Sequence, residues 1–164
     1  MIVSKVISCG VCKACTISAT KEDFPKDFGG NATRRFVYVY GADAHVFHDT
    51  ESTRFAAKTG DFIDFRGAVD QAKTIIELHS EACFWIAFYM ENAEDPLDAE
   101  LLHPGGHELS LSGEEESVFC LKGSVWANGK ELKSFQFAFV PDNRKTHVSV
   151  PDGSLAIRLS KGKA

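Results

Sequence analysis

The chain has 164 residues, 44% of them hydrophobic and 25% charged, with a formal net charge of −5, five cysteines and thirteen phenylalanines. That suffices for one domain, or one domain plus a substantial extension, with an apolar core that needs no disulfide staples; it excludes disordered, collagenous and miniprotein scaffolds. The acidic balance also removes DNA and RNA from the expected partners, because nucleic-acid affinity rests on many Lys and Arg contacts that displace counterions.

In chain order, residues 6–9 resemble a lipoprotein cleavage box. Only eight residues precede Cys9, too few for a basic region and an apolar stretch of ~7–15 residues, so no export signal is expected. No run approaches the ~20 apolar residues of a bilayer span. The expectation is a cytoplasmic protein with no membrane partner and with reduced cysteines. Cys9, Cys12 and Cys15, spaced by two residues each, match the opening of a ferredoxin-type cluster run, but the fourth position falls on Ala19. Three readings stay open for them: a zinc or soft-metal site closed by a further residue such as Cys83, Cys120 or a histidine, a redox switch, or burial as small hydrophobes.

Residues 34–40 are rich in β-branched and aromatic side chains and predict a strand stopped at residues 41–43. His45 and His48 lie three apart, which on a strand turns them to opposite sides and argues against joint ligation. Residues 61–65 are a weaker strand candidate. Val69, Ala72, Ile75, Ile76 and His79 fall at helical spacing, although residues 74–79 read equally well as a strand. His79, between Glu77 and Glu81, is expected at the end of an element. Residues 83–90 are apolar enough for a strand buried on both faces. From Glu91 to Glu116 there are nine carboxylates and no Lys or Arg, read as a solvated acidic face with metal attraction as the alternative.

Further strands are expected at 108–111, 117–121, 124–127, 134–140, 146–150 and 154–159. Asn128 and Gly129, followed by Lys130, signal a type I′ hairpin, whose two central positions need positive φ. Phe135, Phe137 and Phe139 alternate as core residues would. Strands at ~8–12-residue spacing indicate an all-β sandwich or barrel. A boundary near residue 60 is expected, because residues 1–60 carry eight Lys and Arg against six Asp and Glu, whereas residues 61–164 carry ten against seventeen.

Residues 102–130 and 139–147 carry a resemblance. Pro104, Gly105 and Gly106 form a turn leading into a strand, Glu116 follows, and six residues separate Glu116 from Gly123; then comes the Asn128 hairpin. This order resembles the first motif of the cupin superfamily. Pro141 and His147 resemble the second motif, with one residue more than the usual spacing between them. The positions that hold the paired histidines in that family are occupied here by Leu109 and Leu111, leaving His103 and His107 in the preceding turn as substitutes.

The resemblance implies an all-β cupin-like barrel (a double-stranded β-helix) over residues 61–164, with residues 1–60 as an N-terminal β extension that carries the cysteine cluster. It implies a homodimer paired through edge strands, and binding of a small organic molecule inside the barrel. With a divalent Fe, Zn, Mn or Ni held by His147 and Glu116 and completed by His103 or His107, it implies isomerase, lyase or dioxygenase chemistry, the metal polarising a substrate oxygen or activating water. Without a metal it implies a non-catalytic sensing or storage module. A third reading makes Cys9, Cys12 and Cys15 a thiolate metal or redox centre. The chain has no nucleophile elbow, phosphate-cradling loop or dinucleotide fingerprint, which disfavours nucleotide-dependent chemistry.

Overall fold

A computed structural model of the chain describes residues 3–23, 26–27, 36–48, 54–64, 74–92, 95–110, 115–141 and 145–161. The described residues are almost entirely β. The first nine strands are β1 (Val3–Ser8), β2 (Lys13–Thr20), β3 (Lys26–Asp27), β4 (Phe36–Gly41), β5 (Asp43–His48), β6 (Arg54–Lys58), β7 (Phe62–Asp64), β8 (Thr74–Leu78) and β9 (Ala82–Tyr89). The remaining eight are β10 (Asp98–Leu102), β11 (Gly105–Ser110), β12 (Glu116–Lys122), β13 (Ser124–Ala127), β14 (Lys130–Lys133), β15 (Phe137–Phe139), β16 (Lys145–Val150) and β17 (Leu155–Ser160). Among the described residues no helix is long and apolar enough to cross a membrane.

The chain divides into two compact units, Met1–Val6 with Ala14–Ala93 and Ile7–Lys13 with Glu94–Ala164. The division therefore falls near residue 93 rather than near residue 60. Strand pairing gives the reason: β4 is laddered to β9 and β7, and β5 to β8 and β6, so residues 36–58 are hydrogen-bonded to residues 62–89. The change in charge near residue 60 is a change of surface, not of domain.

The first unit sets a sheet of order β1-β2-β9-β4-β7 against one of order β3-β8-β5-β6. Alternation turns Ile17, Val37, Val39, Ile63, Trp85 and Ala87 of the one and Ala44, Ala57 and Leu78 of the other into a shared core. Phe36, Tyr38, Ile86 and Phe88, on the opposite face of β4 and β9, are buried as well, as the unbroken apolar run at residues 83–90 predicts. The helical spacing at residues 67–80 does not prevail in its described part: residues 74–78 are β8, held antiparallel to β5 from His48↔Thr74 to Ala44↔Leu78. Residues 67–73 lie outside the described residues.

The second unit repeats the plan with β10-β17-β12-β15 and β11-β16-β13-β14. Leu102, Val118, Cys120 and Ala156 of the first sheet meet Leu109, Val125, Leu132, Val148 and Val150 of the second. The β13–β14 hairpin turns through Asn128 (φ 49°) and Gly129 (φ 80°), the two positive values that a type I′ turn demands. The expected run of core phenylalanines breaks down. In β15 it is Ala138 that packs on the core, so Phe139 lies on the opposite face, 58% exposed, its ring edge-on to Phe137 at 5.4 Å. Phe135 sits in the preceding turn at φ 69°, stacked on Phe119 at 6.1 Å.

Candidate functional site

The residues that the sequence nominates in the second unit are sorted by β-alternation. Strand β11 pairs with β16 so that His107 faces Val148, Glu108 faces His147 and Leu109 faces Thr146. Leu109, Val148 and Val150 belong to the core, so Leu109 and Thr146 point inward while Glu108 and His147 point outward. His147 Nδ1 lies 2.6 Å from Glu108 Oε1, in a pair whose side chains are 58% and 61% exposed; such a solvated pair adds little stability. Its backbone is fixed more firmly, by an N–H donated to Asn128 Oδ1 at 2.8 Å and a carbonyl that accepts from Asn128 N at 2.9 Å. The outward imidazole follows from the β11–β16 register, which pairs His147 with Glu108 and Thr146 with Leu109. Thr146 takes the inward position instead.

His103 is exposed, and its carbonyl lies 2.7 Å from His107 Nε2. His107 falls on the face of Leu109, half-buried, but that nitrogen is engaged with the turn rather than with a shared centre. Glu116 starts β12, whose Val118 and Cys120 face the core, so its carboxylate also points inward. Glu116 and Thr146 are 5% and 3% exposed, and Glu116 Oε2 and Thr146 Oγ1 have no hydrogen-bond partner. They enter the interior from the two facing sheets, β12 from one and β16 from the other. Leaving a buried polar atom unpaired costs roughly 1–3 kcal/mol, so native cores seldom keep one without a use. The indole Nε1 of Trp85, in the core of the first unit, is likewise unpartnered.

This donor set does not fit a metal. A catalytic metal centre takes about three imidazole, thiolate or carboxylate ligands. Among the described residues the interior of the second unit offers the Glu116 carboxylate, the Thr146 hydroxyl and the Cys120 thiol, which form no group of three converging ligand atoms, with Leu109 where a histidine would stand and His147 turned away. Leu111 lies outside the described residues.

The cysteines are separated by their surroundings. Cys9 and Cys12 belong to the segment Ile7–Lys13 of the second unit and are 0% and 6% exposed, with Cys9 N–H donated to the Cys12 carbonyl at 3.0 Å. Their thiols hydrogen-bond to each other, which together with burial raises the Cys9 pKa. Cys15 packs against the core of the first unit. All five thiols are free, and among the described residues no group of three metal-binding donors includes any of them. The segment is pinned where Ser117 Oγ donates to the Cys9 carbonyl at 2.5 Å. Gly10 adopts φ +87° there, and a Cβ on it would come within 2.7 Å of Ser117 Cβ. Gly10→Ala is therefore expected to cost about 2–4 kcal/mol, from the left-handed backbone and from overpacking, read as a lower urea midpoint at unchanged slope.

Among the described residues, one group of three donors does come together: His45, Glu77 and His79. The sequence contained one local sign of it, Glu77 and His79 two apart on a strand. Their partner His45 is brought in only by the β5–β8 register.

Two units, each a pair of facing antiparallel sheets around its own core, make up an architecture of the cupin kind. No protein-family model matches the chain, and no curated protein does. Among solved structures it is similar to HutD from Pseudomonas fluorescens SBW25, at 16% identity over 98% of this chain and 90% of that one, with a TM-score of 0.71. It is similar to a cupin 2 conserved barrel domain protein from Leptotrichia buccalis (14% identity, 99% and 89% covered, TM-score 0.53). It is also similar to the bacterial pirin YhhW from Escherichia coli, solved in complex with nickel(II) (11% identity, 96% and 85% covered, TM-score 0.60). The chain has the cupin fold, and the likeness runs through residues 1–60 as well as the C-terminal motifs.

Proposed function

We propose that this cupin-like protein binds a small organic molecule in the interior of its second unit, through hydrogen-bond donors presented to Glu116 and Thr146. One observation carries the reading: two buried side-chain oxygens, inward-facing and unpartnered, enter one interior, one of them on Glu116 of the cupin-like motif. A hydroxyl, amine or amide N–H of a ligand would supply the donor that Glu116 Oε2 lacks, and the Thr146 hydroxyl can both accept and donate. The surrounding Leu109, Val118, Val140 and Val148 favour a compact, largely apolar skeleton with few polar groups. Since this interior holds a poor metal donor set, the reading is a binding protein rather than a metal-dependent isomerase, lyase or dioxygenase.

The test is calorimetry and thermal shift with a panel of small alcohols, amino alcohols and amides on the unmodified chain, Glu116→Gln, Thr146→Val and His147→Ala. A hydrogen bond to a charged group contributes roughly 1.5–3 kcal/mol, so Glu116→Gln should weaken the best compound by about 10- to 100-fold. His147→Ala, on the outer face, should leave its affinity unchanged. A panel with no binder, or one whose affinity survives Glu116→Gln, would sink the proposal.

A further inference from the structure

His45, Glu77 and His79 meet on the first unit. Because Ala44 and Leu78 are paired and both belong to the core, alternation puts the next pair, His45↔Glu77, on the outer face of the sheet. His79, two residues beyond Glu77, shares that face. Its backbone N–H donates to the Asp43 carbonyl at 2.6 Å, and Ser80 N–H donates to the same oxygen at 3.1 Å, so the end of β8 is tied down beside β5. The imidazole of His79 is thereby held over that of His45, with ring centroids 4.6 Å apart and planes at 78°.

The atoms that converge are ligand atoms. His79 Nε2 lies 3.0 Å from His45 Nδ1 and 3.4 Å from Glu77 Oε1, and all three positions fall within 4.8 Å of one another. Ligands at ~2.0–2.1 Å from a tetrahedral ion stand roughly 3.3 Å apart, so a cation needs only small side-chain adjustments to sit among these atoms. His45 and Glu77 are half-buried and His79 is exposed. That combination restricts two of the rotamers while leaving an approach from solvent.

We propose that His45, Glu77 and His79 form a divalent-cation site on the outer face of the β3-β8-β5-β6 sheet, separate from the proposed small-molecule site. Two neutral imidazoles and one carboxylate are borderline donors that select zinc and its transition-metal neighbours over magnesium or calcium. Three protein ligands leave at least one coordination position for water or another oxygen donor. By register Asp43 and Lys58, opposite each other, Asp27 opposite Ile75 and Arg54 opposite Phe47 share this face, and Glu77 supplies the carboxylate at the centre of the group.

The test uses the untagged full-length chain with Zn2+ alone in calorimetry, and with Co2+ as a visible-absorption probe of coordination. The expected result is one ion per chain, with His45→Ala, His79→Ala and the conservative Glu77→Gln each weakening binding by at least ~10-fold, since even outer-shell partners of a ligand cost that much. His147→Ala and Cys12→Ser should bind like the unmodified chain, and circular dichroism checks that each variant is folded. Absence of Zn2+ binding by the unmodified chain, or binding that survives folded His79→Ala and Glu77→Gln but is lost in Cys12→Ser, would overturn the proposal.

Discussion

Glu116→Leu is expected to make the ligand-free protein more stable, by about 1–3 kcal/mol. The carboxylate begins β12 facing Val118 and the rest of an apolar interior, is 5% exposed, and leaves Oε2 unpartnered. Carrying it out of water therefore costs free energy that no hydrogen bond returns. Leucine has similar bulk, presents no polar atom and leaves the β12 ladder to β17 intact, so the substitution removes a penalty without opening a cavity. Glu116→Gln should gain less, because its amide is as unpartnered as the carboxylate it replaces. Thr146→Val, close to isosteric, should gain about 1 kcal/mol for loss of the unpaired hydroxyl. In a chain of this size each kcal/mol moves the thermal midpoint by roughly 2–4 °C, which scanning by circular dichroism resolves. A fall in the midpoint of Glu116→Leu would mean that the carboxylate is stabilising where it stands. A rise, together with lost ligand affinity, is the trade expected when a binding group is kept at the expense of the free protein.

The same two residues show what could be seen in advance. The position of Glu116 at the start of a core strand was legible, because the Pro104 turn, the six-residue interval to Gly123 and the Asn128 hairpin fix it by local spacing. The strands from residue 105 onward were legible for a related reason: β-branched and aromatic runs stand between unambiguous turn residues. Thr146 was not legible. The extra residue before His147 can be counted, but which of Thr146 and His147 faces inward appears only once β16 has a register against β11. The first unit was harder still. Residues 1–60 contain no spacing motif comparable to the Pro104 turn and the Asn128 hairpin, and the core-facing Ala44 and Ala57 carry little strand propensity, so half of a paired architecture reads as an extension. His45 and Glu77 are far apart in the chain and adjacent only through pairing, and no local pattern announces such a convergence.

Stability is expected to fall steeply above about pH 9, through three buried thiols. Cys9 is raised above its ordinary value of 9.0 chiefly by the hydrogen bond with Cys12, then by burial and by the neighbouring Cys12 charge. Burial raises Cys83, with Asp23 adding to it and a backbone hydrogen bond from Ala19 opposing, and burial raises Cys120 against a backbone hydrogen bond from Lys122. A thiol raised in the folded state stays protonated there while its unfolded counterpart ionises. Below pH 9.0, the ordinary value of all three thiols, both states hold their protons and nothing changes. Above it the unfolded chain binds fewer, and stability declines by about 1.4 kcal/mol per pH unit for each thiol. Just above pH 9 the three thiols together contribute a decline of up to about 4 kcal/mol per unit, each until its own folded-state value is passed, and Tyr38, raised by burial from 10.0, adds to the decline above that pH. Urea midpoints measured under reducing conditions between about pH 8 and 10.5 read the slope, and Cys120→Ala should flatten it just above pH 9. A flat profile would sink the argument. The direction also bears on the N-terminal cluster: a metal-binding or redox thiolate needs a lowered pKa, whereas the Cys9 thiol is pushed up by its hydrogen bond with Cys12 and by burial. Native Cys9 should therefore resist alkylation at pH 8 and react at the rate of a free thiol once the chain is unfolded.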